Sequence, residues 1–159
     1  MSRVKTNAMR ILDAHGIEYK TIIYDRKDGK IDGVSVAEKI GEEPKKVFKT
    51  LVAQGSSGEL YVFIIPVAEE LDLKKAAKAA SEKKVEMISV KEITKYTGYI
   101  RGGCSPIGMK KNYPTFIDKS SLNLDTIIIS GGKIGVQIEI LLKDLGKIID
   151  VETFKLVKE

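Results

Sequence analysis

Apolar residues along the 159-residue chain follow two periods, one helical and one alternating. Val4, Ala8, Ile11 and Leu12 recur at helical spacing, and Gly16 supplies a stop, so the first helix is expected there. Glu18–Tyr24 alternates and is rich in Ile, Thr and Tyr, the composition of a strand. The charged, glycine-bearing stretch Asp25–Gly33 keeps neither period and is expected to be a mobile loop. Ser35-Val36-Ala37-Glu38 has capping-box spacing and opens a short helix that Gly41 closes. Beyond a turn at Pro44, Val47–Ala53 is a strand by composition. Glu59–Pro66 contains Leu-Tyr-Val-Phe-Ile-Ile, the continuous apolar run of a strand buried on both faces. Asp72 caps a helix over Leu73–Ser81, with Lys74, Lys75 and Lys78 outside and alanines inside. Ser89-Val90-Lys91-Glu92 is a second capping box, before a helix ending near Gly98. Strands are expected at Thr115–Asp118, Thr126–Ser130 and Ile134–Ile140, the last two joined by a tight turn at Gly131-Gly132-Lys133. Leu141–Leu145 then reads as a short helix closed by Gly146.

Strands and helices mix without strict alternation, which predicts a mixed-sheet α/β domain rather than a doubly wound parallel one. A chain of this length buries roughly 70% of its unfolded surface, so residues 1–159 can form one domain without a staple. No apolar run nears the roughly 20 residues that span a bilayer, and the amino terminus lacks an apolar signal core. The lone cysteine cannot make an internal disulfide. A cytoplasmic protein with no membrane contact is expected.

The catalytic inventory narrows the chemistry. One histidine, His15, and one cysteine, Cys104, fall short of a four-ligand zinc site. A Ser-His-Asp triad would have to recruit His15, near the end of the first helix. There is neither GxGxxG nor a Walker lysine loop. No metal and no cofactor are expected. A net charge of +5 is compatible with a polyanionic partner, since Lys and Arg that meet phosphates release counterions.

Three segments carry candidate chemistry. Lys49 interrupts the apolar strand Val47-Phe48-Lys49-Thr50-Leu51. It is either an edge lysine with its amine in solvent, or a pocket cation holding a carbonyl, ribose or phosphate oxygen. Gly98-Tyr99-Ile100-Arg101-Gly102-Gly103-Cys104-Ser105-Pro106-Ile107-Gly108 defeats both helix and long strand. It is a connecting loop, or a cradle whose N–H groups face an oxyanion. Ser130 at the hairpin and Gln137 in the following strand complete the set, with Gln137 and Glu139 on the face away from Val136, Ile138 and Ile140.

Taken in order, Val-Phe-Lys-Thr-Leu, Leu-Asp-Leu-Lys-Lys, Lys-Lys-Val-Glu-Met, Gly-Tyr-Ile-Arg-Gly-Gly-Cys-Ser-Pro-Ile-Gly and Ser-Gly-Gly-Lys resemble the YbaK/EbsC-type Cys-tRNA(Pro) deacylases over almost the whole chain. The resemblance implies a compact, barrel-like mixed sheet flanked by helices. It implies trans-editing, in which a second sieve removes amino acids that a synthetase pocket cannot reject. On it, Lys49 and the loop at Gly102 and Gly103 position the ester, and Tyr24, Thr50, Ser105, Pro106, Ser130 and Gln137 line the substrate. The cysteinyl thiol of the substrate would itself attack the ester. The implied partners are the acceptor end of tRNA(Pro) and prolyl-tRNA synthetase. Gln137 departs from the family's aspartate, and Arg101 and Cys104 from its aliphatic residues; Cys104 reads as a small buried loop residue. Hydrolysis of Ala-tRNA(Pro) or a broader set, and a non-catalytic module holding a tRNA end or nucleotide, are the competing readings.

Overall fold

Two sheets carry the chain, and the computed structural model describes residues 5–159; Val4 lies outside them. The elements are α1 (Asn7–Ala14), β1 (Lys20–Ile23), α2 (Gly33–Lys39), β2 (Phe48–Gly55), β3 (Leu60–Pro66), α3 (Leu73–Ala80), β4 (Val85–Met87), α4 (Val90–Thr97), β5 (Thr115–Asp118), β6 (Thr126–Lys133), β7 (Val136–Leu141), α5 (Leu142–Ile148) and β8 (Val151–Phe154). One sheet is ordered β1-β7-β6 and the other β4-β2-β3-β5-β8. Most pairings are antiparallel, but β5 runs parallel to both β3 and β8, so the sheet is mixed as expected.

The inner faces meet in the main core. Phe48, Val52, Val62 and Ile64 of the larger sheet pack with Ile127, Ile129, Ile138 and Ile140 of the smaller, under Met9 and Leu12 of α1. Fully burying one such aliphatic side chain contributes about 1.5–3 kcal/mol, so this interlayer holds the sheets together. The opposite side of the larger sheet buries Phe63, Ile65 and Phe116 beneath Ala76 and Ala79 of α3. A third, smaller cluster joins Val47, Val67 and Ile128 to Ala37 of α2. Val47 and Ile128 also form a parallel bridge between the two sheets.

Local signals explain most element ends. Thr6 caps α1, Asp72 caps α3 through the Lys74 and Lys75 N–H groups, and the Ser89–Glu92 capping box is present in full. Four expectations change. The cap of α2 is Asp32, which accepts from the Ser35 N–H, so the helix starts two residues before Ser35. The reversal between β6 and β7 falls at Ile134-Gly135, because Lys133 still pairs with Val136. Gly131 and Gly132 lie instead in a bulge between Ser130 and Lys133, where a Cβ on Gly131 would sit 2.8 Å from Val136 Cγ1. Helix α5 runs through Gly146 to Ile148, drawn on by Ile148 and Ile149 packing against the main core. Finally, β4 and β8 are short edge strands of largely exposed residues, which leave no alternation to read.

Candidate active site

The bridge from Val47 to Ile128 sets the geometry of the site. Side chains alternate along a strand, so two positions further on, Lys49 of β2 and Ser130 of β6 share the side of Val47 and Ile128. Ser130 stands opposite Gln137 on β7, and Gln137 stands opposite Ile22 on β1. One continuous surface therefore carries Lys49, Ser130 and Gln137. Tyr24 joins it just past β1, where its N–H donates to Gly135 O at 3.0 Å.

That surface is polar where it should be costly. Tyr24 and Gln137 are both 6% exposed, and the Tyr24 hydroxyl and Gln137 Oε1 are buried with no hydrogen-bond partner among the described residues. An unsatisfied buried polar atom costs about 1–3 kcal/mol, so such a pair is tolerated best where a ligand completes it. Glu139, on the same face as Gln137, is by contrast fully engaged. It takes Lys46 Nζ at 2.8 Å and the Thr126 hydroxyl at 2.6 Å, and the Lys46 hydrogen bond holds its carboxyl below the usual range.

Lys49 is half-buried and makes no ion pair within 4.0 Å among the described residues. Burial pushes its ammonium below the ordinary lysine range, opposed by the more distant charges of Glu70 and then Glu69. This is a desolvated cation without a fixed counter-ion, open to an oxygen of a bound molecule. Thr50 alternates to the other side with Phe48 and Val52, where its Oγ1 is buried without a partner.

The glycine loop is laid directly on the β6–β7 hairpin. A Cβ on Gly103 would lie 2.9 Å from Ile134 N and 3.0 Å from Lys133 C, so only glycine allows this backbone-to-backbone approach. Gly102 has φ 88°, and its neighbours are Ile134 and Ile31. Within the loop, the buried Tyr99 hydroxyl donates to Ile107 O at 2.5 Å. Ser105 is fully buried, its Oγ accepting from the Ile107 N–H, and so braces the loop from within. Pro106 faces a separate groove with Met109, Tyr113, Pro114 and Ile149, which contains neither Lys49 nor Gln137. The structure thus brings Tyr24, Lys49, Ser130 and Gln137 to one face with Gly102 and Gly103 against its hairpin, and places Thr50, Ser105 and Pro106 behind it.

The remaining nucleophile candidates are elsewhere. His15 is the C-cap of α1, with Nδ1 2.8 Å from Ile11 O. Cys104 is buried, and burial pushes its thiol up to about 11, so it is protonated and inert near neutrality.

Residues 32–148 match the model of the aminoacyl-tRNA editing domain. The chain belongs to that family. Over 136 residues it is 48% identical to EbsC of Enterococcus faecalis, whose name assigns it Cys-tRNA(Pro) and Cys-tRNA(Cys) deacylation; the match covers 86% of this chain and 83% of EbsC. YwhH of Bacillus subtilis, an uncharacterized protein, is 25% identical over 111 residues, covering 70% of each chain. A solved structure described as a trans-editing enzyme for prolyl-tRNA synthetase superposes with a TM-score of 0.84 at 21% identity, covering 98% of this chain and 100% of that one. At that identity the superposition speaks for the editing-domain fold alone. Residues that the sequence did not single out include Lys39 and Ile31, whose positions emerge only from loop packing.

Proposed function

We propose that this editing-domain protein hydrolyses mischarged aminoacyl-tRNA in trans, with Cys-tRNA(Pro) as its substrate. The observation that carries the reading is the 48% identity to EbsC across most of both chains. The site is consistent with it, since Lys49 is a desolvated cation with no ion pair among the described residues, on the same face as unpartnered buried polar atoms.

Glu139, the carboxylate on this face, is taken up by Lys46 and Thr126, so the cysteinyl thiol of the substrate is the nucleophile. Its sulfur bonds to the ester carbonyl carbon while the bond from that carbon to the ribose oxygen breaks. The thiol proton ends on the ribose hydroxyl, and the departing thiolactone is opened by water to cysteine. Lys49 donates to the carbonyl oxygen as it gains charge, and the Gly102-Gly103 backbone holds the terminal ribose. Tyr24, Ser130 and Gln137 orient the aminoacyl group. Holding thiol and carbonyl in register, together with charge stabilisation, supplies several kcal/mol without a reactive protein side chain. The acceptor end of tRNA(Pro) is the partner, and prolyl-tRNA synthetase is the source of the mischarged species.

The test is to incubate the protein with Cys-tRNA(Pro) and Ala-tRNA(Pro) separately. Faster loss of the cysteinyl ester supports the proposal. Faster loss of alanine, which has no thiol, would remove the substrate-assisted step, and loss of neither ester would remove the enzyme.

A further inference from the structure

The stretch Asp25–Gly33, expected from composition to be mobile, is fastened from within by one lysine. Lys39, in the last turn of α2, sends all three ammonium protons into it. Its Nζ lies 2.6 Å from Asp25 O, 2.7 Å from Asp28 Oδ1 and 2.9 Å from Lys30 O. The side chain is only 20% exposed. Asp25 and Asp28 in turn accept the Lys27 and Lys30 N–H groups, both at 3.0 Å. The hydrogen bond from Lys39 also holds the Asp28 carboxyl below its usual range. An ammonium with three ligands inside this loop does what a bound cation does elsewhere: it fixes carbonyls that would otherwise face water.

Both ends of this loop belong to the site. Tyr24 immediately precedes it, and Lys39 Nζ lies 6.0 Å from the centre of the Tyr24 ring. At the far end Ile31 reaches the glycine loop, its Cδ1 3.2 Å from where a Cβ on Gly102 would stand. The loop therefore links the residue with the unpartnered hydroxyl to the seat of Gly102. Lys39 is the side chain that holds that link taut.

We infer that Lys39 is a positioning residue for the deacylation site: its three-way clip fixes the Asp25–Asp32 loop so that Tyr24 and Gly102 stand ready for the aminoacyl-adenosine end. It acts through these groups and does not touch substrate. The inference rests on the site reading given above.

The experiment compares Lys39→Met, which keeps the stem and removes the donors, with Lys39→Arg, which retains charge and donors. Asp28→Asn weakens one arm of the clip and serves if Lys39→Met fails to fold. Lys27→Met controls for the loss of one exposed positive charge from the same loop. For each, kcat and KM on Cys-tRNA(Pro) are measured separately, with amide hydrogen exchange at residues 24–31. Lys39→Met is expected to lower kcat about tenfold or more and to speed exchange at Gly29 and Ile31, with Lys39→Arg recovering part of both. Asp28→Asn should move both readouts in the same direction by less. Wild-type kcat and exchange in Lys39→Met would overturn the inference. So would a rise in KM alone matched by Lys27→Met, which would make Lys39 one more surface charge toward tRNA. If the wild-type protein cleaves no ester, the function reading falls, and the exchange measurement still decides whether Lys39 orders the loop.

Discussion

Val47 and Ile128 form a parallel bridge that carries the outer face of the three-stranded sheet, turned away from the main core, onto the side of β2 bearing Lys49. Each sheet alone has half of the proposed site. Joined at this pair, they set a desolvated ammonium on the same side as Ser130 and Gln137.

Removing the ammonium tests the centre of the proposal. Lys49→Ala is expected to lower kcat/KM on Cys-tRNA(Pro) by about 10²–10³, the usual effect of losing one oxyanion donor. Thermal unfolding should be unchanged or slightly raised, because the substitution removes a cation whose burial is unfavourable. Lys49→Arg should restore little, since a planar fork does not replace a point donor. An active Lys49→Ala variant would take Lys49 out of the site.

The pH dependence follows from the same group. In the proposed mechanism Lys49 works as a cation, and burial makes it lose its proton at lower pH than an ordinary lysine. The deacylation rate should therefore fall on the alkaline side before the normal lysine range is reached. Glu69 and Glu70 oppose that shift, so Glu69→Gln should move the alkaline limb to still lower pH. Glu70→Gln should do the same, but it also breaks the 3.0 Å contact to Lys158, which makes Glu69 the cleaner choice. A limb moving upward would contradict the assignment.

Gly103→Ala places a methyl within 3.0 Å of the Lys133 and Ile134 backbone, which is not free to retreat. The loop must lift from the hairpin, and a displacement near 1 Å is expected to cost about 10² in rate. Gly146→Ala is the control. Nothing lies within 4 Å of its Cβ position and its residue is helical, so about 0.5–1 kcal/mol of stability should be gained with activity intact.

Gln137 separates binding from folding. Its Oε1 is buried without a partner, so Gln137→Leu should leave thermal stability unchanged or higher while raising KM for the aminoacyl-tRNA. A destabilised variant with wild-type kinetics would make Gln137 structural.

Cys104 should be silent. With its thiol buried and pushed up to about 11, alkylation of the native protein should be slow and should accelerate on unfolding. Cys104→Ala should retain activity and lose stability, as a small cavity in a packed loop requires.

The amino-acid sequence by itself determined the mixed α/β class, the helix caps at Asp72 and Ser89, the doubly buried strand Leu60–Pro66 and the segments that hold Lys49 and the glycine loop. These are local: a cap, an alternation or an apolar run expresses its free energy within a few residues. Tertiary structure decided which of two readings applied where local signals were balanced. Gly131-Gly132 looked like a turn and became a bulge, because register with β7 put the reversal at Ile134-Gly135. Asp25–Gly33 looked mobile and is tied down by a lysine from the following helix. By sequence Lys49 is an edge lysine or a pocket cation, and only the Val47–Ile128 bridge, closing some eighty residues of chain, gives it Ser130 as a neighbour across the strands. Such choices rest on contacts between distant segments, and no short window of sequence contains both partners.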